Sequence, residues 1–345
     1  MGSGSDPSGR TRDDRLRAHS VVVSLVLVAV FVPMLDDMAR RSLRVGGVEL
    51  PSQQSVAGAA DSATPGASAG APVLPTATPD QVPELVLAVG DLTNCPEMSS
   101  GVPELVASLP GPLLAVGDIV DPGGSYQEYR DCYEPQWGAL RDRIWPVPGN
   151  HDYNVPGAGP YFAYFGLDAG TPGAGWYSRD LGWWHVVALN SICPAVGGCD
   201  QDSQQVQWLI EDLAAHPARC TLAFFHHPRF SSGDGAAPPR TETIWKVLYD
   251  AGADVVLNGH DHHYDRFAPL APDGSIDERR GIRQFTVGTG GASRSRGTGQ
   301  APQSEFLTRE HHGVLQLALH RDRYEWQFIS AADGAVIDSG SDTCH

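Results

Sequence analysis

Five short polar motifs, each set directly behind an apolar run, constrain this chain more than any other feature. Leu85 to Val89 leads into Gly90-Asp91, Leu113 to Val116 into Gly117-Asp118, and Ile144 to Val147 into Gly149-Asn150-His151-Asp152. Leu222 to Phe225 precedes His226-His227-Pro228, and Val255 to Leu257 precedes Gly259-His260-Asp261-His262. The apolar runs have the length and branching of buried strands. If these strands pair in one sheet, their ends deliver oxygen and nitrogen donors to a common crevice, the place where open α/β sheets bind their ligands. Two Asp, one Asn and three His meeting there make a metal site.

Between these runs the pattern turns helical. Val206, Leu209, Ile210 and Leu213 fall at i, i+3, i+4 and i+7, with Asp202 or Ser203 as N-cap. Thr241 to Ala251 reads as a second helix, with Ile244, Val247 and Leu248 inward and Gly252 as the C′ residue before the strand at Val255. In the C-terminal third, Leu315, Leu317 and Leu319 alternate with polar residues, as do Tyr324, Trp326 and Phe328. These are half-buried strands, an antiparallel pair turning near Arg321 and Asp322. The expectation is an α/β fold: a four-layer α-β-β-α sandwich of two mixed sheets with helices outside.

The chain has 345 residues and a formal net charge of −17. Such an excess repels polyphosphate backbones and argues against nucleic acid as the main partner. Small phosphate esters stay open, because bound cations would invert the field locally. Residues 1–19 carry Arg10, Arg12, Arg15 and Arg17, and 20–35 are apolar apart from Ser20, Ser24 and Pro33. This is the pattern of an export signal or a membrane anchor, with no small-residue cleavage site behind it. Residues 36–82, rich in Ala, Ser, Thr, Pro and Gly, read as a flexible linker, and 83–345 as the folded domain that carries the five motifs. The expected location is secreted, or anchored at the extracytoplasmic membrane face.

Six cysteines lie beyond the apolar stretch, none in a CxxC pair, which favours disulfides over a zinc knuckle. Six permit fifteen connectivities. The pairing favoured is Cys95 with Cys132, Cys193 with Cys199, and Cys220 with Cys344; free buried thiols are the alternative.

Carboxylates combined with imidazoles suit zinc, manganese or iron, and a carboxylate between two ions can bridge them. Two such ions, roughly 3.5 to 4 Å apart, clamp an in-line displacement at phosphorus. Asn150 suits this as a neutral oxygen donor. His260 and His262, two apart, share a face in an extended segment, and Asp261 points away.

With these motifs in this order, the chain from Leu85 onward resembles the calcineurin-like metallophosphoesterase superfamily, and within it is most similar to purple acid phosphatase-like enzymes. The resemblance implies one metal held by Asp91, Asp118 and His262 and another by Asp118, Asn150, His226 and His260, with Asp118 bridging. It implies hydrolysis of phosphate monoesters by a dinuclear centre with a bridging hydroxide nucleophile, on a small phosphate-ester substrate. His151 is the expected general acid, with Asp152 orienting its imidazole. Thr93 stands where many members of the wider superfamily have His, and Asp121 where the purple enzymes have Tyr. Asp121 is thus either a substitute carboxylate ligand or a turn residue before Pro122-Gly123-Gly124. A phosphodiesterase or nucleotidase on the same core, or a non-catalytic metal-stapled surface module, are the alternative functions. Gly288-Thr289-Gly290-Gly291 reads as a tight turn, and Trp183, Trp184 and His185 as the packed opening of a strand.

Overall fold

Val86 and Ala88 face one side of the first strand and Leu87 and Val89 the other, and all four are fully buried. A continuous apolar run covered on both faces is the signature of an inner strand in a layered fold. The computed structural model describes residues 82–95, 100–233, 241–295 and 297–345. The basic region, the apolar stretch and the linker read over 36–82, Val82 apart, lie outside the described residues. Among the described residues no helix is long and apolar enough to cross a membrane.

In the first sheet, β1 (Glu84–Val89), β2 (Leu113–Val116) and β3 (Ile144–Val147) run parallel. In the second sheet are β4 (Tyr177–Leu181), β5 (Trp184–Ala188), β6 (Cys220–Phe224), β7 (Val255–Asn258), β8 (Tyr264–Leu270), β9 (Ile282–Val287) and β10 (Ser304–Thr308), in the order β10-β8-β9-β7-β6-β5-β4. Then β11 (Gly313–Leu319), β12 (Arg323–Ser330) and β13 (Val336–Thr343) return to complete the first sheet, in the order β13-β12-β11-β1-β2-β3. The antiparallel pair β11 and β12 turns at His320 to Asp322 as expected. Both sheets are mixed: β11 pairs antiparallel to β1 in the first, and in the second β5, β6, β7 and β9 are mutually parallel while β4 and β8 pair antiparallel to β5 and β9.

The inner faces meet in one apolar core, where Val86, Leu114, Val116, Leu315 and Phe328 pack with Val186, Leu222, Phe224, Leu257 and Phe285. Helices α1 (Val102–Ser108) and α2 (Gly159–Phe165) cover the outside of the first sheet, and α3 (Gln204–Ala215) and α4 (Glu242–Asp250) that of the second. The result is the four-layer sandwich. The five motif-bearing strands do not share one sheet, however: β1, β2 and β3 lie in the first, β6 and β7 in the second. The sheets face each other with these strand ends along the same edge, where Gly90 N donates to Val287 O at 2.9 Å, so the crevice forms between sheets.

Ser203 caps α3 by accepting from Val206 N, but the buried stripe is Gln205, Val206, Leu209 and Asp212, and Ile210 is left 37% exposed. Burying Ile210 would add about 1.5–3 kcal/mol. Rotating the helix to do so would strip partners from Asn190 N and O, both bound to Gln205, and from His185, bound to Asp212, at about 1–3 kcal/mol per orphaned group. The polar set wins. In α4, Ile244 and Leu248 are buried as expected, while Trp245 takes the place given to Val247, which is only partly buried. Gly252 follows with φ 79°, a left-handed residue ending the helix. Trp184 and His185 are buried, but Trp183 is 47% exposed, because it precedes β5 and lies outside the inter-sheet core. All three favoured disulfides are present.

Candidate metal centre

Three non-glycine residues at the crevice adopt the left-handed conformation: Asp91 (φ 56°), Asp118 (φ 47°) and His260 (φ 70°). Each ends a strand and bends its side chain back over the strand tips, a conformation that costs energy unless its surroundings enforce it. Backbone bonds supply that enforcement. Asp91 N donates to Gly117 O at 2.9 Å, Leu92 N to Asp118 O at 3.0 Å, and His260 N to Asp91 Oδ2 at 3.0 Å.

The donors fall into two groups. Asp91 Oδ1, buried and without a hydrogen bond, lies 3.3 Å from His262 Nε2. Asp118 Oδ2 lies 3.1 Å from His226 Nε2, which also stands 3.1 Å from Asn150 Oδ1. His260 joins this second group, its ligand atom within 4.8 Å of those of Asp118 and His226. The histidines are pre-oriented: His226 Nδ1 donates to Val116 O at 3.0 Å and His262 Nδ1 to Ser293 O at 2.8 Å, leaving each Nε2 turned inward. His227 turns Nδ1 to Ser191 Oγ at 3.1 Å, while its ring packs against that of His260 with centroids 4.4 Å apart.

The electrostatics are those of a site with protons standing in for cations. Burial pushes His226 down, but Asp118 overrides it and lifts the imidazole to about 9. Burial also opposes His262, yet Asp91 raises it to about 9. Asp118, which burial alone would raise, is held below the usual carboxylate range by His226 and His151. His260 is driven by burial and by His226 down to about 4, a neutral imidazole ready to ligate. An orphaned buried carboxylate oxygen, converging imidazole nitrogens and a neutral amide oxygen fit a pair of borderline cations well, and their uptake would release the protons.

His151 lies at the rim. Its N–H donates to Asp118 Oδ1 at 2.8 Å, and its Nδ1 meets Pro122 O at 2.8 Å and Asp121 Oδ1 at 2.9 Å. The hydrogen bond that its Nδ1–H donates to Asp121 raises it to about 10. Asp152 does not orient this ring, contrary to the expectation. Fully buried, it accepts from Gly149 N at 2.8 Å, Ile119 N at 3.3 Å and Tyr129 Oη at 3.0 Å, tying the β2 and β3 loops together. Adjacent residues of a tight helical turn diverge, so the ring and the carboxylate serve different neighbours. Asp121 fills the orienting place, and its backbone is zipped to the β1 loop through Asp121 N to Thr93 O and Cys95 N to Asp121 O.

Two close approaches explain the glycines. A Cβ at Gly149 would stand 2.1 Å from Asp118 Oδ1. A Cβ at Gly290 would stand 2.7 Å from Gly90 O and from Leu92 Cα. Gly290 N and Gly291 N donate to Gly90 O and Asp91 O, so the 288–291 run is a turn that also clamps the first motif. Sequence reasoning missed that second part, and it missed Ser293; a glycine run directly behind an inner strand was the available signal.

A model of the calcineurin-like phosphoesterase family matches residues 73–264, more than half of the chain. Purple acid phosphatase 15 of Arabidopsis thaliana is 24% identical over 230 residues, 56% of this chain and 42% of its own length. Purple acid phosphatase 21 of the same plant is 28% identical over 253 residues, 63% of this chain and 56% of its own. The chain thus spans about half the length of the curated relatives it matches. Purple acid phosphatase PPD1 from yellow lupin seeds shares the fold, with a TM-score of 0.59 at 17% identity, over 77% of this chain and 55% of that one. On the family match, the shared fold and the five motif loops gathered at one crevice, the chain belongs to the calcineurin-like phosphoesterase family, in its purple acid phosphatase-like branch.

Proposed function

We propose that this protein hydrolyses phosphate monoesters with two divalent or mixed-valence transition-metal ions, zinc, manganese or iron. Asp91, Asp118 and His262 would hold one ion and Asp118, Asn150, His226 and His260 the other. The observation that carries this reading is the convergence of Asp118, His226 and His260 beside Asp91 Oδ1, which is buried without a hydrogen bond and faces His262 Nε2 at 3.3 Å. When bound, the ions supply the Lewis acidity that lowers the pKa of water and offsets charge on the phosphoryl oxygens.

The chain's own residues do the rest. His151, with Nδ1 tied to Asp121 and Pro122 O, turns Nε2 toward Asp118 at 3.9 Å and keeps its side chain 29% exposed at the rim. So placed, and kept protonated by Asp121, it serves as the acid that delivers a proton to the departing alkoxide. Asp121 is then a positioning residue for His151 rather than a metal ligand. Asp152 holds the Gly149–Asp152 turn so that Asn150 reaches His226. Three disulfides suit an oxidising compartment and support the exported location.

The test is reconstitution of metal-stripped protein with zinc, manganese or iron, assayed on nitrophenyl phosphate and on bis-nitrophenyl phosphate. Metal-dependent monoester turnover that is lost in His226→Ala is expected. Absence of bound metal by elemental analysis overturns the reading, and faster turnover of the diester overturns its monoester part.

A further inference from the structure

The geometry points to a second, separate metal site: a mononuclear zinc site made by His185, Asp212 and His216 at the opposite end of the second sheet. His185 pairs in register with Thr221 at the start of β6, whereas His226 follows that strand's end. Five residues of extended chain separate the two places by about 16 Å.

Three elements assemble the cluster. The β4–β5 register sets Asp180 across from His185, and Asp180 Oδ1 lies 2.8 Å from His185 Nδ1. Asp212 sits in the last turn of α3 and His216 at its C-cap, four residues on, which places both on one helix face. Asp212 Oδ2 lies 2.9 Å from His185 Nε2, and Asp212 Oδ1 lies 3.3 Å from His216 Nδ1. All three ligand atoms fall within 4.8 Å of one another. Tetrahedral zinc with bonds of about 2.0–2.1 Å needs donors about 3.3 Å apart; both imidazole–carboxylate pairs already meet this, and the two imidazole nitrogens would close by up to about 1.5 Å.

The surroundings match a metal site in two further respects. His185 gives its outer ring N–H to Asp180, and Ser178 Oγ donates to Asp212 Oδ1 at 2.8 Å, the kind of second layer that fixes a ligand's tautomer and angle. The entry path exists too: the His216 side chain is 43% exposed and borders, with Asp180 and Trp184, a groove of about 880 Å³. A buried ion pair accounts for His185 between two carboxylates. The His216 imidazole stacks on His185 at 4.9 Å and turns Nδ1 to Asp212, 3.0 Å from its backbone O and 3.3 Å from Oδ1, so zinc would take this nitrogen in place of a bond to the helix backbone. Burial pushes His185 down, but Asp212 and Asp180 raise it on balance, so zinc would enter by displacing a proton. Two nitrogens and one carboxylate leave a fourth position open toward the groove.

The experiment is zinc stoichiometry on the full chain, comparing wild type, His216→Ala and His226→Ala after dialysis against micromolar zinc. His216→Ala should bind one zinc fewer than wild type with unchanged phosphate-ester turnover, and His226→Ala should retain the ion that His216→Ala loses. A zinc-edge anomalous map of the wild type should show a peak about 2.0–2.1 Å from His185 Nε2. Equal zinc content in wild type and His216→Ala, or no anomalous density between His185 and Asp212, overturns the site. Neither result depends on whether the crevice at His226 is dinuclear.

Discussion

Replacing Asp152 by alanine removes the acceptor from three buried donors at once: Gly149 N, Ile119 N and Tyr129 Oη. Each orphaned buried donor costs about 1–3 kcal/mol, so the total is at least about 3 kcal/mol. For a domain of this size that lowers Tm by about 6 °C or more. Asp152→Asn is different, because both backbone donors use Oδ2 and only the tyrosine uses Oδ1. An amide oxygen can keep the first pair while its NH2 donates to a reversed Tyr129 hydroxyl, a loss of about 1 kcal/mol. The two variants also diverge with pH. Burial, then Asp118, pushes folded Asp152 up to about 7, above the unfolded value of about 3.9. A raised folded pKa means that the stabilisation is complete below about pH 4 and is lost as pH rises through about 7. Asparagine has no such loss, so in metal-stripped protein its Tm should gain on wild type from about pH 5 to 8. Thermal unfolding beside turnover is the assay. If both variants kept the wild-type Tm and lost turnover equally, Asp152 would be acting on His151, and the loop-tying role would be wrong.

The disulfides should rank by the loops they close. Separations of 124, 37 and 6 residues for Cys220–Cys344, Cys95–Cys132 and Cys193–Cys199 give about 5, 4 and 2 kcal/mol by chain entropy. Denaturant unfolding of the three paired Cys→Ala variants checks this, and a Cys193/Cys199 variant less stable than the Cys220/Cys344 one would contradict it. Gly149→Ala should cost about 1–3 kcal/mol in overpacking, because its methyl meets the Asp118 carboxylate and N–H at 2.1 and 2.3 Å. Metal content should fall with stability; wild-type occupancy in this variant would mean the loop can yield.

The motif order and the apolar runs before it were enough to read the layers and the gathering of six candidate donors at one crevice, since each strand carries its own end-loop with it. What escaped were properties set by distant partners. Whether Asp152 or Asp121 faces the His151 ring depends on how the β1 and β2 loops zip, which neighbouring letters do not encode. The helical period placed Ile210 inward because it weighs only apolar character, whereas Gln205 and Asp212 had bonds to make across the sheet edge. The two-sheet division of the five strands was equally out of reach, as parallel inner strands look alike whichever layer receives them.

That division has a mechanical consequence. Since Asp91, Asp118 and Asn150 hang from one layer and His226, His260 and His262 from the other, a cation pair would act as a clasp across the seam. The far end of the same seam is already fastened, by Cys220–Cys344 and by Trp184 Nε1 donating to His320 O. Stripping the ions should therefore let the sandwich gape from the catalytic edge alone, with amide exchange quickening at the tips of β1, β2 and β6 while the opposite margin stays shut.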